Sequence, residues 1–168
     1  MKNRSSASTR KKVVVLLRDG TPAKGYINPI TLGRVETFDL LTPDGQHQSI
    51  SLDEVKSVYF VREFQEKFEP DRKTFLSRPK LEGLWVRMKF RDGDIMEGIV
   101  SNDLLDLLDT GVHLTPPDLN GNSLRLFIPR SALVEMNVLG VVGVARRNAP
   151  RAGPEKKTPA TQSKLFNE

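Results

Sequence analysis

Histidine is the side chain most often used for proton transfer and metal binding near neutral pH. The chain contains two, His47 and His113. His47 lies in a predicted turn, whereas His113 lies between apolar neighbours in a predicted strand and should face solvent. Neither one has the spacing to a serine or an aspartate that a nucleophile and its base require. Two separated histidines also offer too few ligands for a metal ion, so the sequence predicts no catalytic, metal or cofactor site.

A stretch rich in leucine and aspartate, residues 102–109, is the most unusual candidate site. Its aspartates recur at every third residue, whereas a calcium loop needs ligands at alternate positions and a glycine at the turn. The pattern instead predicts a short acidic turn whose leucines cover the end of a small domain. Such a domain does not readily bury four leucines, so we expect a contact with a partner or with another domain. These leucines are Leu104, Leu105, Leu107 and Leu108.

An Arg-Asp-Gly triplet occurs twice, at residues 18–20 and 91–93, and a second glycine follows each one five positions later. Asp-Gly is typical of a hairpin turn because glycine readily adopts positive φ, and the later glycine permits a sharp bend in the returning strand. The predicted structural positions are Asp19, Gly20, Gly25, Asp92, Gly93 and Gly98. The two arginines, Arg18 and Arg91, have no such role and are candidates for contact with a partner.

The two triplets belong to a longer internal repeat, which must position all of these residues. Residues 37–40 match residues 111–114, and residues 50–58 match residues 128–136. Two copies are too few for a solenoid, so the repeat predicts two small domains of roughly 50–60 residues each. Because isolated cores of that size are marginal, we expect the two copies to pack against each other or to self-associate.

Short apolar segments separated by turn signals predict an all-β fold, with five strands in each copy arranged as a small barrel. The linker contains Phe64, Phe68 and Phe75, of which the first two have the spacing of one helix face before Pro70. We expect these rings to cover apolar surface on or between the barrels. The predicted units are a disordered basic tail 1–12, barrel 13–61, linker 62–84, barrel 85–145 and disordered basic tail 146–168.

The net charge of +5 comes from the two ends of the chain. Residues 1–12 contribute +5 and residues 146–168 contribute +4, which leaves −4 for residues 13–145. Both ends lack apolar periodicity, as disordered segments do, and such basic tails can bind nucleic acid. The chain has no cysteine, which excludes disulfides and thiolate metal sites. Its longest early apolar run is too short for a signal peptide or membrane span, so we expect a cytoplasmic protein.

Several segments of the chain resemble an uncharacterised bacterial family of tandem small β-domains. This family occurs in acidobacteria and related groups and is sometimes labelled with twitching motility or type IV pili. The resemblance implies two tandem β-domains and no assigned activity. The segments that carry it are residues 14–25, 55–64, 90–98, 114–118 and 122–127.

Each copy also resembles the Sm-like fold, an SH3-like barrel of five strands. Its first motif is similar to residues 17–25, and its second motif is similar to residues 50–58. The Sm-like RNA pocket uses an Arg-Gly pair in the second motif, and residues 51–53 and 129–131 contain none. The resemblance therefore implies the fold and leaves the RNA pocket incomplete.

These observations predict a non-catalytic, cytoplasmic bacterial module for protein interaction, an adaptor that binds neither a cofactor nor a small molecule. Open barrels leave free edge strands, so we expect a protein partner or a second copy to dock by strand addition. The alternative is an RNA-binding or other nucleic-acid-binding protein that uses its basic tails. We expect function where the copies differ, at the leucine-aspartate loop and at a longer polar insert around residues 118–122.

Overall fold

The computed structural model describes residues 9–143, which form ten β-strands and a few short helical turns. All strand pairs are antiparallel, and together they make one sheet in the order β10-β6-β7-β8-β9-β5-β1-β2-β3-β4. The strands are β1 Lys11–Leu17, β2 Pro22–Ile27, β3 Thr37–Leu41, β4 His47–Ser51, β5 Val55–Val61, β6 Gly83–Phe90, β7 Ile95–Val100, β8 Gly111–Thr115, β9 Ser123–Pro129 and β10 Leu133–Val142. The short α-helix α1 spans Leu104–Leu107, and single 3-10 turns lie at Pro29–Thr31, Leu52–Glu54 and Arg130–Ala132.

The predicted all-β class is confirmed, and the ten strands lie in one open sheet rather than in two separate ones. Each half has the same order, because β5-β1-β2-β3-β4 in the first half corresponds to β10-β6-β7-β8-β9 in the second. The halves join where β5 pairs with β9, with Val58 opposite Phe127 and Tyr59 opposite Leu126. The strands β4 and β10 are left at the two edges.

Residues 9–143 include the linker, nearly all of the two predicted barrels and only the last few residues of the first basic tail. The strand β1 begins at Lys11, within the segment 1–12 that the sequence assigned to a basic tail. The predicted disorder of residues 1–8 and 144–168 lies outside the described residues. Among residues 9–143, no helix combines the length and the apolar character needed to cross a membrane.

Both Arg-Asp-Gly triplets lie in hairpin turns. Gly20 and Gly93 have φ values of +90° and +87°, which favour glycine, and Asp19 accepts a hydrogen bond from the backbone N–H of Thr21 at 2.8 Å. The later glycine of the first copy, Gly25, lies where two strands come very close. A Cβ atom there would lie 2.5 Å from the carbonyl oxygen of β3's last residue. Gly98 lies in an equally crowded position, where a Cβ atom would lie 2.5 Å from the side chain of a β8 leucine.

The interior consists of two apolar clusters, and each one contains residues from both halves of the sheet. The first cluster contains Val58 and Phe60 of β5, and it also contains Phe127 of β9. The second cluster contains the core of the second half together with Val14 and Tyr59 of the first. Since burial of one large apolar side chain stabilises by about 1.5–3 kcal/mol, we expect this exchange to couple the folding of the two halves.

The linker between β5 and β6 contains no helix, so the predicted helical arrangement of Phe64 and Phe68 is wrong. The Lys24 ammonium donates hydrogen bonds to two consecutive backbone carbonyls within this segment, which holds the chain in an irregular conformation. The rings nevertheless cover apolar surface. Phe64 packs edge-on against Tyr26 at 5.4 Å between ring centroids, and Phe68 packs in the same way against a tyrosine of β5.

A buried carboxylate attaches the end of the linker to the second half. Glu97 on β7 accepts hydrogen bonds from the Phe75 backbone N–H at 3.1 Å, from Trp85 Nε1 at 3.1 Å and from Arg87 at 2.9 Å. Burial alone would raise the pKa of Glu97, but these three donors outweigh it and lower the pKa below its ordinary value. The carboxylate therefore stays charged and stabilises the fold at neutral pH.

Candidate interaction site

The strand β10 is an apolar edge. It pairs with β6 on one side and has no neighbouring strand among the described residues on the other. Natural sheets protect exposed edges with charges, prolines or bulges. Two bulges interrupt β10, but it contains no proline and one charged residue, Glu135. Its exposed apolar side chains are Val134, Met136, Val138, Leu139 and Val141.

Part of this exposed row belongs to the core face of the sheet. Met136 lies opposite Met88 and Val138 lies opposite Val86, and both β6 residues are fully buried. Because directly opposed residues of an antiparallel pair share one face, Met136 and Val138 point toward the interior side. Their side chains are nevertheless 36% and 56% exposed. The second cluster is therefore open at its β10 end.

The equivalent positions of the first half are covered by a strand, and their side chains are buried. By the internal repeat, Val58 and Phe60 of β5 correspond to Met136 and Val138 of β10. Val58 is 0% exposed and Phe60 is 3% exposed, because β9 pairs with β5 there and adds Phe127 to the cluster. No strand within residues 9–143 covers β10 in this way.

The helix α1 brings the predicted leucines next to this edge. Asp103 caps α1 by accepting a hydrogen bond from the backbone N–H of Leu105 at 2.9 Å. Leu107 is half-buried against the second cluster, and it lines a cleft of about 240 Å³ together with Val134 and Met136. The other three leucines, Leu104, Leu105 and Leu108, are exposed. We call the α1 leucines and the exposed apolar residues of β10 together the β10 surface.

The candidate arginines of the two triplets lie together in a different cleft. Arg18 and Arg91 both line a cavity of about 270 Å³, along with Lys56 and Asp92. Arg91 also donates a hydrogen bond to the carbonyl oxygen of Ser131, so it has a structural contact that its position in the sequence does not suggest. The tertiary structure thus brings the two arginines to one cavity, and none of the four leucines lines it.

Lys56 of this cavity joins the two halves electrostatically. Its ammonium group lies 2.6 Å from Asp92 and 3.0 Å from Asp94, the two carboxylates of the second hairpin turn. Burial alone would lower the pKa of Lys56, but the hydrogen bonds and charges of the two aspartates outweigh it and raise the pKa. Asp94 also pairs with Lys73 of the linker at 2.7 Å. The carboxylates of this turn therefore form ion pairs with Lys56 and Lys73 and are not simply solvated.

A third cavity, of about 680 Å³, gathers positive charge at the β5–β9 junction. Its guanidinium and ammonium groups come from the start of β1, the end of β5 and the middle of β9. The cation of Arg125 lies 4.2 Å from the ring centroid of Phe60. We call this cavity the basic groove, and its five cationic residues are Arg10, Lys11, Lys12, Arg62 and Arg125. Sequence reasoning missed this site because it assigned residues 10–12 to a tail, and Arg62 and Arg125 lie far from them along the chain.

The remaining candidates have structural contacts. His47 begins β4 and lies 2.7 Å from Asp39, and the His113 ring packs 4.9 Å from the Phe127 ring. Burial lowers the pKa of His113, and the charge of Arg125 adds to this effect.

No cluster of three or more metal-ligating side chains occurs among residues 9–143. The polar insert holds the linker, since the amide of Asn122 exchanges two hydrogen bonds with the backbone of residue 63.

The sequence profile of a family of unknown function, DUF6982, matches residues 9–140, and the chain therefore belongs to this family. The match spans every strand of the sheet apart from the last residues of β10. No curated protein and no solved structure matches the chain significantly. The bacterial origin and the pilus association implied by the earlier resemblance stay predictions.

Proposed function

We propose that the protein is a non-catalytic interaction module that binds an extended, apolar protein segment along β10 by strand addition. The observation that carries the proposal is the contrast between equivalent positions of the two halves. Val58 and Phe60 are covered by a pairing strand, whereas Met136 and Val138 are open. Glu135 is the one charged residue of this edge, and Arg78 donates one hydrogen bond to it, at the carbonyl oxygen of Val141. A largely apolar edge of this kind is a template for one more strand.

The β10 surface provides both parts of strand recognition. The backbone groups on the outer side of β10 would pair with the added strand, and alternate apolar side chains of that strand would cover Met136 and Val138. The cleft beside Leu107 can take a further apolar side chain, since its lining residues are mostly apolar. The exposed leucines of α1 extend the same surface.

The strand order supports the interpretation of each half as an Sm-like, SH3-like barrel unit. Within each half the fifth strand pairs with the first, and the remaining strands follow in sequence order. The crowded glycines Gly25 and Gly98 lie where such units bend strongly. In this proposal the first unit has its fifth strand covered internally by β9, and the second unit offers its own fifth strand, β10, to a partner.

A photo-crosslinking amino acid at residue 138 tests the docking edge in the native cell. We expect Val138 replaced in this way to give a crosslinked product whose attachment site lies in an extended apolar segment. Val35 is the matched control, because it is a valine of similar exposure, 44% against 56%, in a turn of the first half. Equal products at both positions, or none at position 138, would refute the proposal.

The basic groove favours a second candidate function, the binding of single-stranded nucleic acid. Five cations line one groove, although two of them also pair with acidic side chains, Arg10 with Asp39 and Lys12 with Glu63. Neutralisation of backbone phosphates makes binding strongest at low salt, with a log–log slope of about −0.7 per contact for single strands. The test is fluorescence anisotropy with a single-stranded RNA at about 50 mM salt. Arg125→Ala should weaken binding and reduce the salt slope if the groove is used, and an absence of binding excludes this function.

A further inference from the structure

We infer that the strand added to β10 belongs to a second copy of this chain, which forms an antiparallel β10–β10 pair about a two-fold axis near Asn137. This inference rests on the proposed docking edge and names its occupant. The dimer would join two open sheets into one continuous sheet, in the way that β5 and β9 already join the two halves of a single chain.

The sequence of β10 is self-complementary in this register. A two-fold axis at Asn137 places Met136 opposite Val138 of the second copy, and it places Val138 opposite Met136. Because a two-fold axis that relates antiparallel strands is perpendicular to the sheet, both interior faces lie on the same side. The two open rows therefore cover each other, and in each row Met136 and Val138 meet an apolar residue of the second copy.

The charges of β10 are compatible with the same register. Glu135 is the strand's single charged residue, and the axis places it opposite Leu139 rather than opposite its own copy. The two Glu135 carboxylates would be separated by four residue steps, roughly 14 Å at about 3.4 Å per residue. That separation exceeds the Debye length of about 8 Å at physiological salt, so their repulsion is screened.

The dimer also fills the cleft beside α1. The register places residues 138–141 of the second copy opposite residues 136–133, which is the stretch that lines the cleft next to Leu107. Leu139 and Val141 are exposed on the isolated chain and would be covered at this position. The symmetry repeats this contact, so each copy fills the cleft of the other.

The opposite edge of the sheet is a poorer partner for β10. By the internal repeat, Gln48 and Ser49 of β4 correspond to Leu126 and Phe127 of β9, the residues that pair with β5. A head-to-tail contact between β10 and β4 would therefore set polar side chains against the open core row. β4 is also short, with five residues, as protected edges are. A two-fold contact closes the assembly at two copies, whereas a head-to-tail contact need not close.

A single cysteine at residue 137 tests the register, because the chain contains no other cysteine. In the dimer, residue 137 faces its own copy across the axis with about 4.5–5.5 Å between Cα atoms, a distance that a disulfide spans. We expect the full chain with Asn137→Cys to form a covalent dimer under mild oxidation, reversed by reductant. The matched variant Val35→Cys should stay uncrosslinked. The double variant with Gln48→Cys and Asn137→Cys tests the alternative. If it crosslinks into a series of oligomers while Asn137→Cys alone gives no covalent dimer, the assembly is head-to-tail and the inference is overturned.

Sedimentation equilibrium of the unmodified chain supplies the second measurement. We expect a mass of about twice the 18.9 kDa of one chain, the loss of the dimer in Val138→Lys and its retention in Val35→Lys. Circular dichroism should show that both variants stay folded. A wild-type chain that is monomeric at all concentrations overturns the dimer. If residue 138 then still crosslinks a different protein in the cell, the proposed docking function stands, and if it crosslinks nothing, both proposals fail.

Discussion

The replacement Phe127→Ala tests whether the two halves of the sheet fold as one unit. Phe127 lies on β9 of the second half, is 1% exposed and packs in the cluster of the first half, opposite Val58. Removal of a buried phenylalanine side chain costs about 3–5 kcal/mol, since the surrounding residues only partly fill the cavity. For a chain of this size, a loss of 1 kcal/mol lowers Tm by roughly 3 °C, so we expect a decrease of about 10–15 °C.

The assay uses the one tryptophan of the chain as a local reporter. Trp85 lies on β6 in the second half, whereas far-UV circular dichroism reports on every strand. If the halves are coupled through Phe127, both signals should show one transition that shifts by the same amount. The control is Leu124→Ala on the same strand, which removes a side chain that is about half exposed and should shift Tm by only a few degrees. Protein concentration is held constant because self-association also shifts Tm.

A separation of the two signals would refute this reasoning. If Trp85 fluorescence kept its wild-type transition in Phe127→Ala while circular dichroism showed an earlier one, the halves would be independent domains. The exchange of side chains between the two clusters would then contribute little to stability.

Three further outcomes follow from other contacts. The pKa of Glu97 is lower in the folded than in the unfolded chain, so its contribution to stability is complete above the unfolded-state pKa and is lost as pH falls through the folded-state pKa. Glu97→Gln should therefore lower Tm at pH 7 and flatten the fall of Tm below about pH 4. An unchanged dependence of Tm on acid pH would contradict this. Asp94→Asn removes the charge that pairs with both Lys56 and Lys73, and denaturant titration should show a loss of about 1 kcal/mol that high salt reduces. Gly25→Ala places a Cβ atom against a β3 carbonyl and should cost about 1–3 kcal/mol, whereas Gly140→Ala, with its nearest atom 4.0 Å away, should change stability little.

The position of the open edge has a consequence for the proposed strand addition. The internal junction uses the fifth strand of the first half, so the chain retains one such strand, β10, for an external contact. The opposite edge, β4, is short and polar. Residues 9–143 therefore present a single apolar edge, and we expect an assembly that closes on itself rather than one that grows at both ends.

The leucines of α1 show how far local pattern reasoning extends toward a site. Their number predicted exposure and contact, and three of the four are exposed. Nothing in residues 102–109 indicates the neighbours of the fourth leucine, Leu107. It lines a cleft with Val134 and Met136 only because the fold places β10 beside α1. The basic groove is a similar case, since its cations at residues 10–12, 62 and 125 become neighbours only through the pairing of β5 with β9.

The sequence by itself determined the strands and turns of this protein, because these depend on neighbouring residues. Alternating apolar segments select extended chain, and Asp-Gly pairs such as Asp19-Gly20 select tight hairpins. Only the tertiary structure decided which strand covers which. Val58 and Met136 occupy equivalent positions in similar local sequences, yet one is buried and the other is exposed. The difference arises from β9, a strand distant from β5 in sequence, and no local pattern contains that pairing.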